Sequence, residues 1–253
     1  HGIDAPMYYV ALMTFVLIFS SVTMVLAVDA GHHMQKAKVT FYMLLTVIGG
    51  AIFVGSQAWE WKNFIKGEYG ALETKGGQIL QFVNSDTGKR AAIQEFAQGI
   101  DSPRTTHQLS NGIWYKSETS LPTVSLAEVN KGFAASSNLV IRTEQLDEKG
   151  RKVVLSRGES LLKIQDATIV VEGANLIRNE YGNRLFADFF FFITGFHGFH
   201  VFSGVVINII IFFNVIVGTY ERRGHYEMVE KVGLYWHFVD LVWVFVFTFF
   251  YLV

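Results

Sequence analysis

Two histidines in a strongly apolar stretch are the residues best suited to chemistry. His197 and His200 occur in the run Gly-Phe-His-Gly-Phe-His. A spacing of three residues places both imidazoles on one face of a helix, where they could bind a metal ion or a haem. The alternative is structural: neutral imidazoles hydrogen-bond to neighbouring helices, and Gly195 and Gly198 let those helices approach closely.

A second polar group lies in the run Tyr-Trp-His-Phe-Val-Asp-Leu-Val-Trp at 235–243. Asp240 follows His237 by one helical turn, so that imidazole or a donor on a neighbouring helix could hold the carboxylate and reduce the cost of burying it. The pair could form a proton relay or a structural polar clamp between helices. His237 could also complete a haem site with His197 and His200.

Charged residues at the ends of apolar runs suggest two further sites. Glu60 lies between two tryptophans. It could handle protons or ions, or it could simply reach the membrane interface, a depth that Trp favours. Arg222, Arg223 and His225 lie between two apolar runs and could bind anionic lipid headgroups. Their alternative role is to set the topology alone.

The composition excludes several classes of site. The chain has no Cys, which excludes disulfides, thiolate nucleophiles and iron–sulfur ligation. Its formal net charge of -1 provides no basic face to displace counterions from phosphates, so we expect no nucleic-acid partner.

Four long apolar runs must position these side chains. The chain is 51% hydrophobic, with a mean hydropathy of +0.30. A membrane core takes about 20 residues of helix, because the backbone polar groups must be satisfied within the segment. We therefore predict an α-helical membrane protein with two transmembrane helices in residues 1–61 and two in 184–253. The four predicted helices cover 7–28, 39–61, 189–218 and 232–253.

The residues between the second and third runs have a different composition. Residues 62–188 hold 16 of the 21 Lys and Arg and 15 of the 22 Asp and Glu. Strand-like runs alternate there with Gly, Asn, Asp and Ser, which predicts an extramembrane insert domain at 62–183 of mixed, mostly β structure. The predicted strands cover 78–83, 138–143, 152–155 and 160–171.

Two helices are also expected in the insert. One covers 90–99. The other begins at Ser125, because Ser125 and Glu128 have the spacing of a capping box.

Lys and Arg in the two short connections predict the orientation. The connections at 29–38 and 219–231 lie on one side if all four helices span, and an excess of Lys and Arg marks the cytoplasmic face. We therefore expect the insert on the outer, periplasmic side of a bacterial inner membrane, in a multi-pass protein.

Three stretches resemble signature stretches of the haem-copper cytochrome c oxidase subunit III family. They are Gln-Ala-Trp-Glu-Trp at 57–61, Thr-Gly-Phe-His-Gly-Phe-His-Val at 194–201, and the run at 235–243, in the family's order on successive helices. The resemblance covers 7–61 and 181–253 and corresponds to the last four of the family's usual seven helices. The helices that carry most of the family's lipid cleft and its membrane carboxylate have no counterpart here.

The resemblance implies a non-catalytic accessory subunit of a proton-pumping cytochrome c oxidase in aerobic respiration. Such a subunit holds no haem or copper, which belong to the partner subunits I and II. It binds phospholipid and supports assembly and proton uptake. It also implies that His197, His200, His237 and Asp240 are structural. The chain alone is then not an enzyme, although the complex is an oxidoreductase.

Two alternatives to this function stay open. One is a haem-binding membrane cytochrome that uses His197, His200 and His237. The other is subunit III of a quinol oxidase, which differs only in the electron donor. The insert at 62–183 matches no ordinary family member, and we expect it to be a docking or assembly module for another respiratory complex or for cytochrome c.

Overall fold

The prediction of four long apolar helices is confirmed in a computed structural model, which describes residues 6–97, 109–110, 114–115 and 124–251. Each helix is long and apolar enough to cross a membrane. Each begins one to five residues before the apolar run that predicts it, and α6 ends at Ile216, two residues before its predicted end. The long helices are α1 (Pro6–His32), α2 (Lys36–Lys66), α6 (Arg184–Ile216) and α8 (Glu227–Tyr251).

The chain forms two compact units, and the first contains residues 1–60 and 189–253. Trp236 is fully buried in this unit, because two glycines make room for its indole. A Cβ added at Gly50 on α2 would lie 2.6 Å from Cη2 of Trp236, and one added at Gly204 on α6 would lie 2.9 Å from Cζ3. Small residues thus bring α2, α6 and α8 into close contact.

The two buried tryptophans of α8 also bind α1. Trp236 Nε1 donates to Ser20 Oγ at 3.1 Å, and Trp243 Nε1 donates to Thr14 Oγ1 at 2.9 Å. Both bonds satisfy an indole N–H in an apolar interior, where an unpaired donor is costly. They join α1 and α8 at two levels.

The second compact unit, residues 61–188, is built on an antiparallel sheet with the strand order β6-β5-β2-β1-β7. The sheet-rich insert is therefore confirmed. A separate two-stranded sheet pairs β3 with β4. The strands are β1 (Ala71–Thr74), β2 (Ile79–Asn84), β3 (Leu109–Ser110), β4 (Trp114–Tyr115), β5 (Leu139–Leu146), β6 (Lys152–Val154) and β7 (Ala167–Val171).

One face of the larger sheet carries the core of this unit. Phe82 pairs with Ile141 across β2 and β5, and both side chains are fully buried. Phe133 packs on Phe82 with ring centroids 5.4 Å apart.

The short helices of the chain are α3 (Ile93–Phe96), α4 (Leu126–Ala135), α5 (Arg157–Lys163) and α7 (Thr219–Arg223).

The capping box predicted from Ser125 and Glu128 is confirmed, and it starts α4. The helix predicted over 90–99 is reduced to the single turn of α3. Residues 98–99 lie outside the described residues.

The strand predicted over 160–171 is wrong in its first half. Those residues begin within α5 and a 3₁₀ turn, and only β7 is extended. The cause is a second capping box, in which Ser156 and Glu159 exchange hydrogen bonds and start α5. Short apolar runs do not distinguish a strand from a buried helix by periodicity.

Candidate functional site

His237 binds a hydroxyl on a neighbouring helix. Its Nδ1 lies 2.6 Å from Ser21 Oγ on α1. Asp240, one turn further along α8, is half-buried and near both groups. Its Oδ1 is buried and has no hydrogen-bond partner among the described residues. The structure thus brings Ser21, His237 and Asp240 together at the contact between α1 and α8.

His197 occupies the aromatic core of the first unit. Its side chain is buried, with its ring centroid 5.9 Å from that of Phe53 on α2 and 5.0 Å from that of Trp243 on α8. Its Nε2 has no hydrogen-bond partner among the described residues. The imidazole therefore fills space between three helices.

His200 has a different environment, although it shares a helical face with His197. It is half-buried, and its Nδ1 lies 2.8 Å from the carbonyl oxygen of Phe196. The Tyr235 hydroxyl contacts the carbonyl oxygen of His200 at 3.3 Å and Ser203 Oγ at 2.9 Å. These bonds join α6 to α8.

Glu60 joins the ends of α2 and α8. Its Oε2 accepts from Gln57 Nε2 at 2.8 Å, and its Oε1 accepts from the Tyr251 hydroxyl at 3.0 Å. The neighbouring Trp59 contacts the ring of Tyr9 at 4.9 Å. Both carboxylate oxygens of Glu60 therefore have neutral donors, one of them from a residue 191 positions away in the chain.

Arg222, Arg223 and His225 are exposed at the end of α7 and just after it. Within the described part of the chain, none of the three forms an ion pair with an acidic side chain. In the same connection, Glu221 is bound instead by Lys36, with Nζ and Oε2 3.0 Å apart. The three side chains are available to contact an anionic group.

The three histidines of the predicted haem site are not brought into one constellation. Over residues 6–97 and 124–251, with the two short strands between, no group of three or more His, Asp and Glu could hold a metal ion. His197 lies among aromatic rings, His200 contacts its own helix, and His237 binds α1.

The sequence profile of cytochrome c oxidase subunit III matches residues 177–253, which include α6, α8 and all of these histidines. The C-terminal region of this chain is therefore similar to the cytochrome c oxidase subunit III family. The resemblance of residues 7–61 to that family lies outside the matched segment and stays a prediction.

Individual relatives match over a similar length. The probable cytochrome c oxidase subunit 3 of Rickettsia conorii is 43% identical over 75 residues, 29% of this chain and 26% of the relative. The cytochrome c oxidase subunit 3 of Thermostichus vulcanus is 38% identical over 79 residues, 28% of this chain and 37% of the relative. That of Synechocystis is 43% identical over 70 residues. These matches span only 26% and 37% of the length of the first two relatives.

The sheet-containing unit at 61–188 contains a buried carboxylate that sequence reasoning missed. Glu180 is fully buried and accepts four backbone N–H groups, at distances of 2.6–3.3 Å. Its donors are Glu68, Tyr69, Gly70 and Gly173. The carboxylate thereby holds together the two chain segments that enter and leave the sheet.

Three cationic side chains lie close to Glu180. Arg142 Nε and Nη2 donate to Gln81 Oε1, Lys152 Nζ donates to the carbonyl oxygen of Tyr181, and the Arg90 guanidinium lies 4.4 Å from the ring centroid of Tyr69. Burial lowers the pKa of all three cations. No sequence motif marks them, because they come from two strands and a loop.

Proposed function

We propose that this chain is the non-catalytic subunit III of a proton-pumping cytochrome c oxidase in aerobic respiration. The observation that carries the proposal is the subunit III match at 177–253, which contains the stretches at 194–201 and 235–243. In the structure these two stretches contact each other across α6 and α8, where His197 packs on Trp243 and the Tyr235 hydroxyl donates to the carbonyl oxygen of His200.

We propose that the membrane polar residues act mainly in assembly and in supporting proton uptake by the partner subunit. Glu60, His200 and His237 each contact a second helix through a side-chain or backbone hydrogen bond. Such bonds stabilise helix contacts in lipid, where water is not available as a partner. Of the five site residues Glu60, His197, His200, His237 and Asp240, the half-buried Asp240 and the buried His197 have a buried atom without a hydrogen-bond partner in the described part of the chain, and they are the candidates for a proton-handling role.

The oxidase subunits I and II are the proposed partners, with haem and copper in those subunits and none in this chain. Phospholipid is the other proposed ligand, and the exposed Arg222, Arg223 and His225 support it. The proposed location is a bacterial inner membrane with the insert in the periplasm. The support is that, if all four helices span, the Lys and Arg of both short connections lie on one side, which the positive-inside rule makes cytoplasmic.

The insert is proposed to be a docking or assembly module for another respiratory complex or for cytochrome c. The structure suggests a clean deletion of the sheet, because the chain segments that enter and leave it adjoin. A Cβ added at Gly67 would lie 2.3 Å from the nitrogen of Gly173. Joining Gly67 to Gly173 through a short Gly linker should leave the oxidase assembled but reduce its association with the partner complex. Unchanged association and electron delivery would refute this role.

An optical spectrum separates the accessory subunit from the haem-binding alternative. The purified single chain should show no Soret band, whereas the complex that it co-purifies with should show one. A Soret band that belongs to the isolated chain and disappears in a His237→Ala variant would establish the cytochrome instead. Oxygen consumption by the complex with reduced cytochrome c or with a quinol then identifies the electron donor.

A further inference from the structure

A pocket of about 200 Å³ lies where α1 ends and α2 begins. Its polar lining consists of Asp29, His33, Gln35 and Lys38, and its apolar lining includes Leu26 and Tyr42. The pocket is separate from the other proposed lipid-binding residues, because Arg222, Arg223 and His225 do not line it.

The pocket contains one acidic and one basic side chain that do not neutralise each other. Within the described part of the chain, the only ion pair of Asp29 is with His33, at 3.8 Å, and Lys38 forms no ion pair. The nearby Lys36 is already bound to Glu221. A ligand with both a cationic and an anionic group would therefore satisfy Asp29 and Lys38 together.

The depth of these side chains fits a membrane boundary. Asp29 directly follows the first apolar run, and Lys38 directly precedes the second. With a rise of about 1.5 Å per residue, Leu26 lies about 4.5 Å further into the membrane than Asp29, and Tyr42 about 6 Å further than Lys38. The charged groups thus lie above an apolar floor, as a phospholipid headgroup lies above its acyl chains.

The turn that forms the pocket is strained. Gln35 N donates to the Ala30 carbonyl and Met34 N to the Gly31 carbonyl, which is the pattern of a Schellman motif. Its left-handed position is occupied by Met34, with φ +54°, where glycine is usual. It is the only non-glycine residue with positive φ in the described part of the chain. Such strain persists mainly where function requires the local geometry.

We propose that this pocket binds the headgroup of a zwitterionic phospholipid that carries a primary ammonium, of the phosphatidylethanolamine type. The ligand ammonium donates to the Asp29 carboxylate, while Lys38 and the Gln35 amide donate to the phosphate. The first acyl carbons contact Leu26 and Tyr42. A trimethylated choline headgroup has no N–H to donate to Asp29, and a glycerol headgroup has no cation. The inference rests on the proposed membrane placement of the subunit.

Native mass spectrometry of the full chain in detergent tests this site. The chain is given equal amounts of phosphatidylethanolamine, phosphatidylcholine and phosphatidylglycerol, and the retained lipid is measured. We expect phosphatidylethanolamine to be retained roughly tenfold over phosphatidylcholine, the change that corresponds to one charge-assisted hydrogen bond. Asp29→Asn should remove this preference, and Lys38→Gln should reduce retention of all three lipids. Lys231→Gln is the control, because Lys231 is exposed and does not line the pocket.

Equal retention of phosphatidylethanolamine and phosphatidylcholine by the unmodified chain would overturn the proposal, as would an unchanged preference in Asp29→Asn. A second arm uses inorganic phosphate without lipid. Phosphate binding that is lost in Lys38→Gln, without any headgroup preference, would assign the pocket to a free anion instead. Co-purification with oxidase subunits is scored separately, so a failed lipid preference leaves the subunit III proposal standing.

Discussion

Substituting Gly50 by alanine should destabilise the helix bundle far more than the same change at Gly55, five residues further along α2. A Cβ at Gly50 would lie 2.6 Å from Cη2 of Trp236 and 2.7 Å from Cγ2 of Val205, whereas a Cβ at Gly55 meets nothing within 4 Å. Overpacking of this kind costs about 1–3 kcal/mol. Replacing an unconstrained helical glycine by alanine gains about 0.5–1 kcal/mol.

The two variants should therefore differ in unfolding free energy by roughly 1.5–4 kcal/mol. Unfolding in mixed dodecylmaltoside and SDS micelles, followed by tryptophan fluorescence, measures this difference, since Trp236 and Trp243 are both buried in the bundle. Gly55→Ala serves as the matched control on the same helix. Equal midpoints for the two variants, or a more stable Gly50→Ala, would refute the close packing of α2 against Trp236.

Three further predictions concern the polar groups. Asp240→Leu should lower the yield of assembled complex more than the turnover per haem, and normal assembly with collapsed proton pumping would indicate a relay instead. Glu180→Gln should loosen the insert by at least about 2 kcal/mol in hydrogen exchange of the full chain, because four backbone N–H groups, two of them buried, lose a charged acceptor, while the exposed Glu148→Gln should change little. Hydrogen bonds from Ser156 hold the pKa of Glu159 below its usual 4.5, so its stabilisation is present above that pH and is lost as pH falls through the lower folded value. Glu159→Gln keeps the cap and should make α5 less sensitive to acid, and an identical acid-unfolding midpoint would contradict this.

The long helices could be predicted from the sequence because their signal is local. About 20 apolar residues in a row specify a spanning helix whatever surrounds them. The insert was predicted less well, since its strands are short and their pairing partners are distant. β1 has no recognisable sequence signal. The apolar run at 160–171 predicts a strand where α5 lies, because the start of α5 depends on the Ser156 capping box rather than on periodicity.

The candidate site was predicted by residue type but not by partner. Histidines and carboxylates in apolar runs can be recognised as candidate site residues from the sequence alone, since burying them is costly. Their partners cannot be recognised in the same way. Nothing in the sequence distinguishes Ser21 from the other residues of α1 or Tyr251 from the other aromatic residues, and only the structure shows their bonds to His237 and Glu60. Glu180 was also missed, because its role depends on four backbone groups from two distant segments.

The identity and stoichiometry of the chains that co-purify with this protein test the central claim most directly. Affinity purification of the tagged chain from its native membrane, followed by mass spectrometry and metal analysis, should yield a haem- and copper-containing oxidase with one copy of this chain for each catalytic subunit. Recovery of the chain free of oxidase subunits, with haem bound to the chain itself, would contradict the account.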